Sequence, residues 1–253
     1  MITAPSIRAL GLLRGTADRG GVLSLGRPER EGDRFRRASR ECLLALAAVD
    51  AMLEDGVASR ATIAGERTAL LYVTAAAYVA SNRDFIERRA GGTHFAYTAP
   101  VVVPAEVAIE FALTGPYAIF LGGAPATLRA MAHAAGLLER DVCDRALVLA
   151  VEIFEECADL YARAPRLLGR PLVEAAGCLW LERGHGELGV ESGRGGRGPR
   201  RSAPGEMLSC GPLADLADWR RGAQVGPLEL SGWWRGETAR LAWIEPSAGE
   251  SAA

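Results

Sequence analysis

The sequence predicts an α/β fold built from parallel βαβ units. Short apolar runs of strand length alternate along the chain with stretches of helical period, and Gly or Pro separates one from the next. The order strand, helix, strand, helix, strand, helix, strand is the pattern of parallel units. The 253 residues, 49% of them hydrophobic, suit one large α/β domain or two small ones and can form a substantial core.

The elements follow in order. Ile7 to Leu13 is short and apolar and ends at Gly15, as a first strand would. Gly15 to Gly32 is rich in Gly and Arg and reads as a loop. From Arg34 to Glu54, Leu43, Leu46, Val49 and Leu53 recur at helical spacing, and Asp55-Gly56 is the stop. Thr68 to Thr74 is a second, buried strand. Asn82 to Arg89 reads as helical and is broken by Gly91-Gly92. Ala105 to Leu113 reads as a buried helix after the valines between Pro100 and Pro104. Gly115-Pro116 turns the chain into a third strand, Tyr117 to Leu121. An Ala-rich helix from Ala126 to Leu138 follows, then the clearest buried strand, Asp144 to Val151, and another strand from Leu172 to Glu182. Residues 184–205 change composition abruptly toward Gly and Arg and read as a flexible loop. Beyond them, Leu228 to Leu230, Trp233-Trp234 and Leu241 to Ile244 alternate as a β-hairpin that packs its tryptophans on the core.

Composition excludes several function classes. All 29 basic side chains are arginine, so a Schiff-base lysine, a Walker lysine and a Ser-x-x-Lys pair are absent from the sequence. A net charge of −2 gives no bulk attraction to nucleic acid or to an anionic membrane. The 5 cysteines (Cys42, Cys143, Cys157, Cys178, Cys210) are odd in number and scattered, which argues against a disulfide framework and a metal-binding C-x-x-C pair. No signal peptide is read at Met1 to Leu13, and no run is long enough to span a membrane. A cytoplasmic protein without metal or cofactor is the expectation.

Four segments, in order, resemble the N-terminal half of a β-ketoacyl synthase. They are ALAAVDAMLEDG from Ala45, TAPVVVPAEVAIEFALTGP from Thr98, DVCDRALVLAVE from Asp141 and PLVEAAGCLWLER from Pro171. The last is similar to the family's EGAG-x-L-x-LE signature. The resemblance implies a thiolase-like half, a layered βαβαβαββ sheet over residues 1–183, with the loop 184–205 and a short C-terminal β-hairpin (206–253) completing the same domain in place of a second half.

Two departures from the family decide the functional reading. A ketosynthase opens a buried helix with a cysteine whose thiolate the helix N-terminus favours, and that thiolate takes up the acyl chain. Counting without gaps from Gly115-Pro116 puts Ala124 in that position, and a methyl group cannot attack a thioester. The second half, which supplies the family's two catalytic histidines, is also missing. His94, His133 and His185 match no family histidine motif. The resemblance therefore implies a chain length factor, the cysteine-less subunit that forms a heterodimer with an active ketosynthase and shapes its acyl tunnel. Shortened versions accompany the ketosynthases of aryl-polyene-type pathways.

That resemblance also implies site residues. The strand Tyr117, Ala118, Ile119, Phe120, Leu121 would lie at the dimer interface, and Val102, Phe85 and Ile86 would border the acyl tunnel. Glu106 and Glu110 read as solvated or paired with arginine rather than as general acids. The dense stretch from Arg27 to Arg40 could dock an acidic acyl carrier protein, although a solvated helix start is the plainer reading. Two alternatives stay open. One is an acyltransferase or thioesterase that uses Thr127 or Cys143, the latter read as lying in a surface turn. The other is a stand-alone module that binds acyl groups or carrier protein.

Overall fold

The computed structural model describes residues 2–17, 23–36, 38–75, 82, 85–87, 99–154, 170–195, 205–222 and 227–244. The longer elements, in chain order, are β1 (Ile2–Arg14), α1 (Arg40–Asp55), β2 (Thr68–Thr74), α2 (Val102–Glu110), β3 (Tyr117–Leu121), α3 (Ala124–Glu139), β4 (Arg145–Glu152), β5 (Ala175–Arg194), α4 (Gly211–Arg221), β6 (Leu228–Trp234) and β7 (Glu237–Ile244), and within the stretch read as a loop Thr16–Ala17 pairs with Leu23–Ser24. Seven strands form one sheet in the order β3-β2-β4-β5-β7-β6, with β1 paired to β5 as well.

The sheet is mixed. β3, β2 and β4 run parallel, as the βαβ pattern predicts. β5 then runs antiparallel to β4 and to β1. The parallel strands are continuous apolar runs because both of their faces are covered. On β4, Ala146, Val148 and Ala150 join the cluster that contains the α3 residues Leu128, Met131 and Ala134. Leu147, Leu149 and Val151 join the opposite cluster, with Leu43, Leu46 and Val49 of α1 and Val107 of α2.

Several boundaries differ from the sequence reading. α1 begins at Arg40 rather than Arg34, because the Ser39 side chain accepts a hydrogen bond from the Cys42 amide and sets the first turn there. Asp33–Arg36 is a separate 3₁₀ turn. Half of the segment 82–89 lies outside the described residues, which include Asn82 and residues 85–87 of it.

The largest correction concerns residues 184–205. Gly184 to Arg194 is not loop but the second half of β5, whose far end pairs with β7 from Glu187↔Ile244 to Arg194↔Glu237. The glycines misled because glycine usually marks a turn. Here they allow close approach of neighbouring backbone. A Cβ on Gly184 would stand 2.5 Å from the Ala4 carbonyl oxygen, and one on Gly186 would stand 2.2 Å from that of Ile244. The register of β1 against β5 shifts between Ala4 and Ser6, opposite this stretch, so the glycines sit at a bulge.

The C-terminal hairpin is present as β6 and β7, with Trp243 buried in the core, Trp233 facing out and Trp234 half-buried. The segment beginning at residue 206 also contains α4, which the sequence reading passed over. Pro212 in the first turn and Leu213 and Leu216 three apart were its available signals.

Candidate functional site: a helix mouth and a free sheet edge

β3 ends at Leu121, and the chain turns into α3 within two glycines. Gly122 has φ +145°, a conformation that side chains rarely adopt, and Gly123 is the N-cap. Ala124 is thus the first residue of a buried 16-residue helix, 3% exposed, directly after the third strand. The backbone dipole there would favour an anion, but the side chain is a methyl.

The hydroxyl and thiol alternatives are inert in this geometry. Thr127 is fully buried and donates its hydroxyl proton to the Ser209 carbonyl at 2.6 Å. A carbonyl cannot act as a base toward it. Ser209 in turn hydrogen-bonds through Oγ to Glu152, which also accepts from the Ala75 amide at 2.6 Å. Cys143 sits in the turn between α3 and β4, as read, but its side chain is buried there, and burial pushes its thiol pKa up. Burial likewise pushes Cys42 up to about 12, and raises Cys178 and Cys210. None of these four is a thiolate at neutral pH.

The two described histidines stand apart from the mouth. His133 is exposed, nine residues along α3 from Ala124 (roughly 13 Å at the helical rise), and meets Phe120 edge-on at 5.8 Å. His185 lies beside Thr3, Leu138 and Glu139, at the far end of α3 and roughly 20 Å from its start. His94 lies outside the described residues. Among the described residues, no group of three or more His, Cys, Asp or Glu could hold a metal ion.

β3 is the edge of the sheet and pairs only with β2 among the described strands. Tyr117 and Leu121 are 66% and 54% exposed, while Ala118, Ile119 and Phe120 are half-buried. The Pro116 carbonyl accepts from Leu70 of β2, and the Gly122 amide donates to Thr74 of β2. Strand alternation then turns the amides of Tyr117, Ile119 and Leu121 outward, toward the open edge. Beside the start of β3, Val101, Pro104, Ala105, Ala108, Leu113 and Tyr117 line an apolar groove of about 420 Å³.

Of the expected tunnel residues, Val102 is half-buried at the start of α2, and Phe85 and Ile86 are exposed, Ile86 by 74%. The arginine stretch is largely matched by the chain's own acids. Glu110 takes Arg30 (3.1 Å), Arg34 (2.6 Å) and Arg60 (2.6 Å), and Asp50 takes Arg30 (2.8 Å) and Arg60 (3.3 Å). Burial pushes the Glu110 carboxyl up, but its bonds from Arg60 and Arg30 outweigh this and hold it below the ordinary 4.5. Glu110 is therefore an ion-pair carboxylate and not a general acid.

A mixed sheet between these helix layers, with a buried helix opening just after the third strand, is the thiolase-like fold of the ketosynthases and chain length factors. No protein-family model matches the chain. No curated protein matches it in sequence. Among solved structures it is similar to the ishigamide ketosynthase/chain length factor, with TM-score 0.76 and 16% identity over 96% of this chain and 100% of that one. It is also similar to a β-ketoacyl synthase from Burkholderia phymatum (TM-score 0.73, 13% identity, 97% of this chain and 100% of that one). A third is the ketosynthase in complex with its chain length factor from Xenorhabdus doucetiae (TM-score 0.66, 15% identity, 96% and 100%). The described residues contain no helix long and apolar enough to cross a membrane.

Proposed function

We propose that this chain is a non-catalytic subunit of the chain-length-factor type. It pairs with an active β-ketoacyl synthase and bounds that partner's acyl cavity during fatty-acid or polyketide synthesis of the polyene kind. The observation that carries this reading is the methyl group of Ala124 at the mouth of α3, with both described histidines set apart from it. The fold is retained while its chemistry is gone, which leaves shape and assembly as the function. The open edge of β3 supports a partner at that strand, because an apolar edge with outward amides needs cover. Val102, Phe85 and Ile86 are assigned to the tunnel border by their place in the resemblance. Any carrier protein would be docked mainly by the synthase, since the Arg27–Arg40 stretch carries bound acids of its own.

The test is co-expression with a cysteine-bearing ketosynthase encoded beside it. Co-elution as a heterodimer is expected. Ile119→Pro removes one outward amide without touching the bonds to β2 and should abolish co-elution while the isolated chain still unfolds cooperatively. Condensation by this chain alone, or undiminished pairing of the proline variant, would refute the reading.

A further inference from the structure

The C-terminal hairpin lies across the mouth of α3. A Cβ on Gly232 of β6 would stand 2.7 Å from the Ala124 carbonyl carbon, 2.8 Å from its Cβ and 2.8 Å from the Pro125 nitrogen. A Cβ on Gly123 would stand 2.9 Å from Cδ2 and Cε3 of Trp234. Gly232 and Trp234 are two apart on a strand, so they present to the same face, together with the buried Leu228 and Leu230. Trp234 packs against the cluster of Phe154, Leu172 and Leu208, and so closes the mouth from the side on which those residues stand. Arg129 of α3 bonds Glu237 of β7 at 3.2 Å and ties helix to hairpin one turn further on.

We infer that the chain's own hairpin plugs its acyl-accepting position: β6 fills, with the Gly232 backbone and the Trp234 indole, the space through which a carrier-bound thioester would reach residue 124. The loss of the nucleophile is therefore matched by the packing. Strand and helix mouth lie so close at Gly232 that even a methyl group on it would run into the Ala124 backbone and Cβ. This inference stands on intramolecular packing and does not depend on the pairing reading above.

The experiment uses the full chain with no partner. In Ala124→Cys, alkylation of position 124 by iodoacetamide is followed by peptide-resolved mass spectrometry, with the urea-unfolded chain as reference. Labelling should be at least about 100-fold slower in the folded chain, because reaction waits on local opening. Adding Trp234→Ala should speed it by about tenfold. Labelling of the folded single variant within about tenfold of the unfolded chain would overturn the plug. A second measurement avoids any change at residue 124. Hydrogen exchange of the peptide spanning Gly123 to Leu128 should be faster in Trp234→Ala than in the unaltered chain, while β2 and β4 stay protected. Equal exchange in both chains would also overturn it. Neither readout involves a synthase, so failure here leaves the pairing test standing.

Discussion

At the scale of single residues, one buried polar contact holds several elements together. Arg40, at the start of α1, pairs with Glu174, which is fully buried. Glu174 also accepts from the Phe154 amide at 2.9 Å and the Leu25 amide at 2.7 Å. One carboxylate thus joins the start of α1, the end of β4 and the approach to β5. Glu174 belongs to the segment from Pro171 that carries the family resemblance, so a signature residue serves here as a structural tie. Removing one partner of a buried pair strands the other charge, so Glu174→Ala should cost about 3–5 kcal/mol. Replacing both, in Arg40→Met with Glu174→Leu, should recover part of that loss. Denaturant unfolding at constant m-value measures both, and a loss under about 1 kcal/mol for the single variant would remove this role.

At the scale of elements, the fit of α1 onto β1 depends on one missing side chain. A Cβ on Gly11 would stand 2.3 Å from the Met52 amide nitrogen and 2.4 Å from the Ala48 carbonyl oxygen. The obstacles are backbone atoms, which cannot swing away. Gly11→Ala should therefore destabilise by about 1–3 kcal/mol or more, although alanine suits a strand better than glycine. Thermal unfolding of the variant checks this, and an unchanged midpoint would show that helix and strand slide apart freely. The same logic governs Gly184 and Gly186. Read as loop formers, they belong to a strand because a neighbouring strand lies where their side chains would be.

At the scale of the whole molecule, the C-terminal segment is part of the main core. Leu213 and Leu216 of α4, Leu228 and Leu230 of β6, and Leu241 and Trp243 of β7 are all buried in the cluster that holds α3. Six such side chains contribute on the order of 10 kcal/mol, comparable to the whole stability of an ordinary domain. A fragment of residues 1–205 should therefore lack a cooperative unfolding transition and accumulate insoluble. A soluble fragment with a sharp transition would make the hairpin an independent unit. The C-terminal segment thus works as a lid and a core wall at once.

The sequence by itself determined the parallel strands, their helices and the methyl at the helix mouth, because each is encoded locally. Thr68–Thr74 and Tyr117–Leu121 were legible to the residue, being apolar runs bounded by turn residues. The place of Ala124 followed from counting along one short segment. Long-range packing decided the rest. Whether Gly184–Arg194 is loop or strand depends on β1 and β7, which are distant in the chain and supply its pairing partners. Whether Thr127 could act depends on the Ser209 carbonyl, 82 residues away. The seal over Ala124 comes from Gly232 and Trp234, whose side-chain alternation was readable but whose target was not. Alternation specifies a face to be buried, and only the folded chain specifies against what.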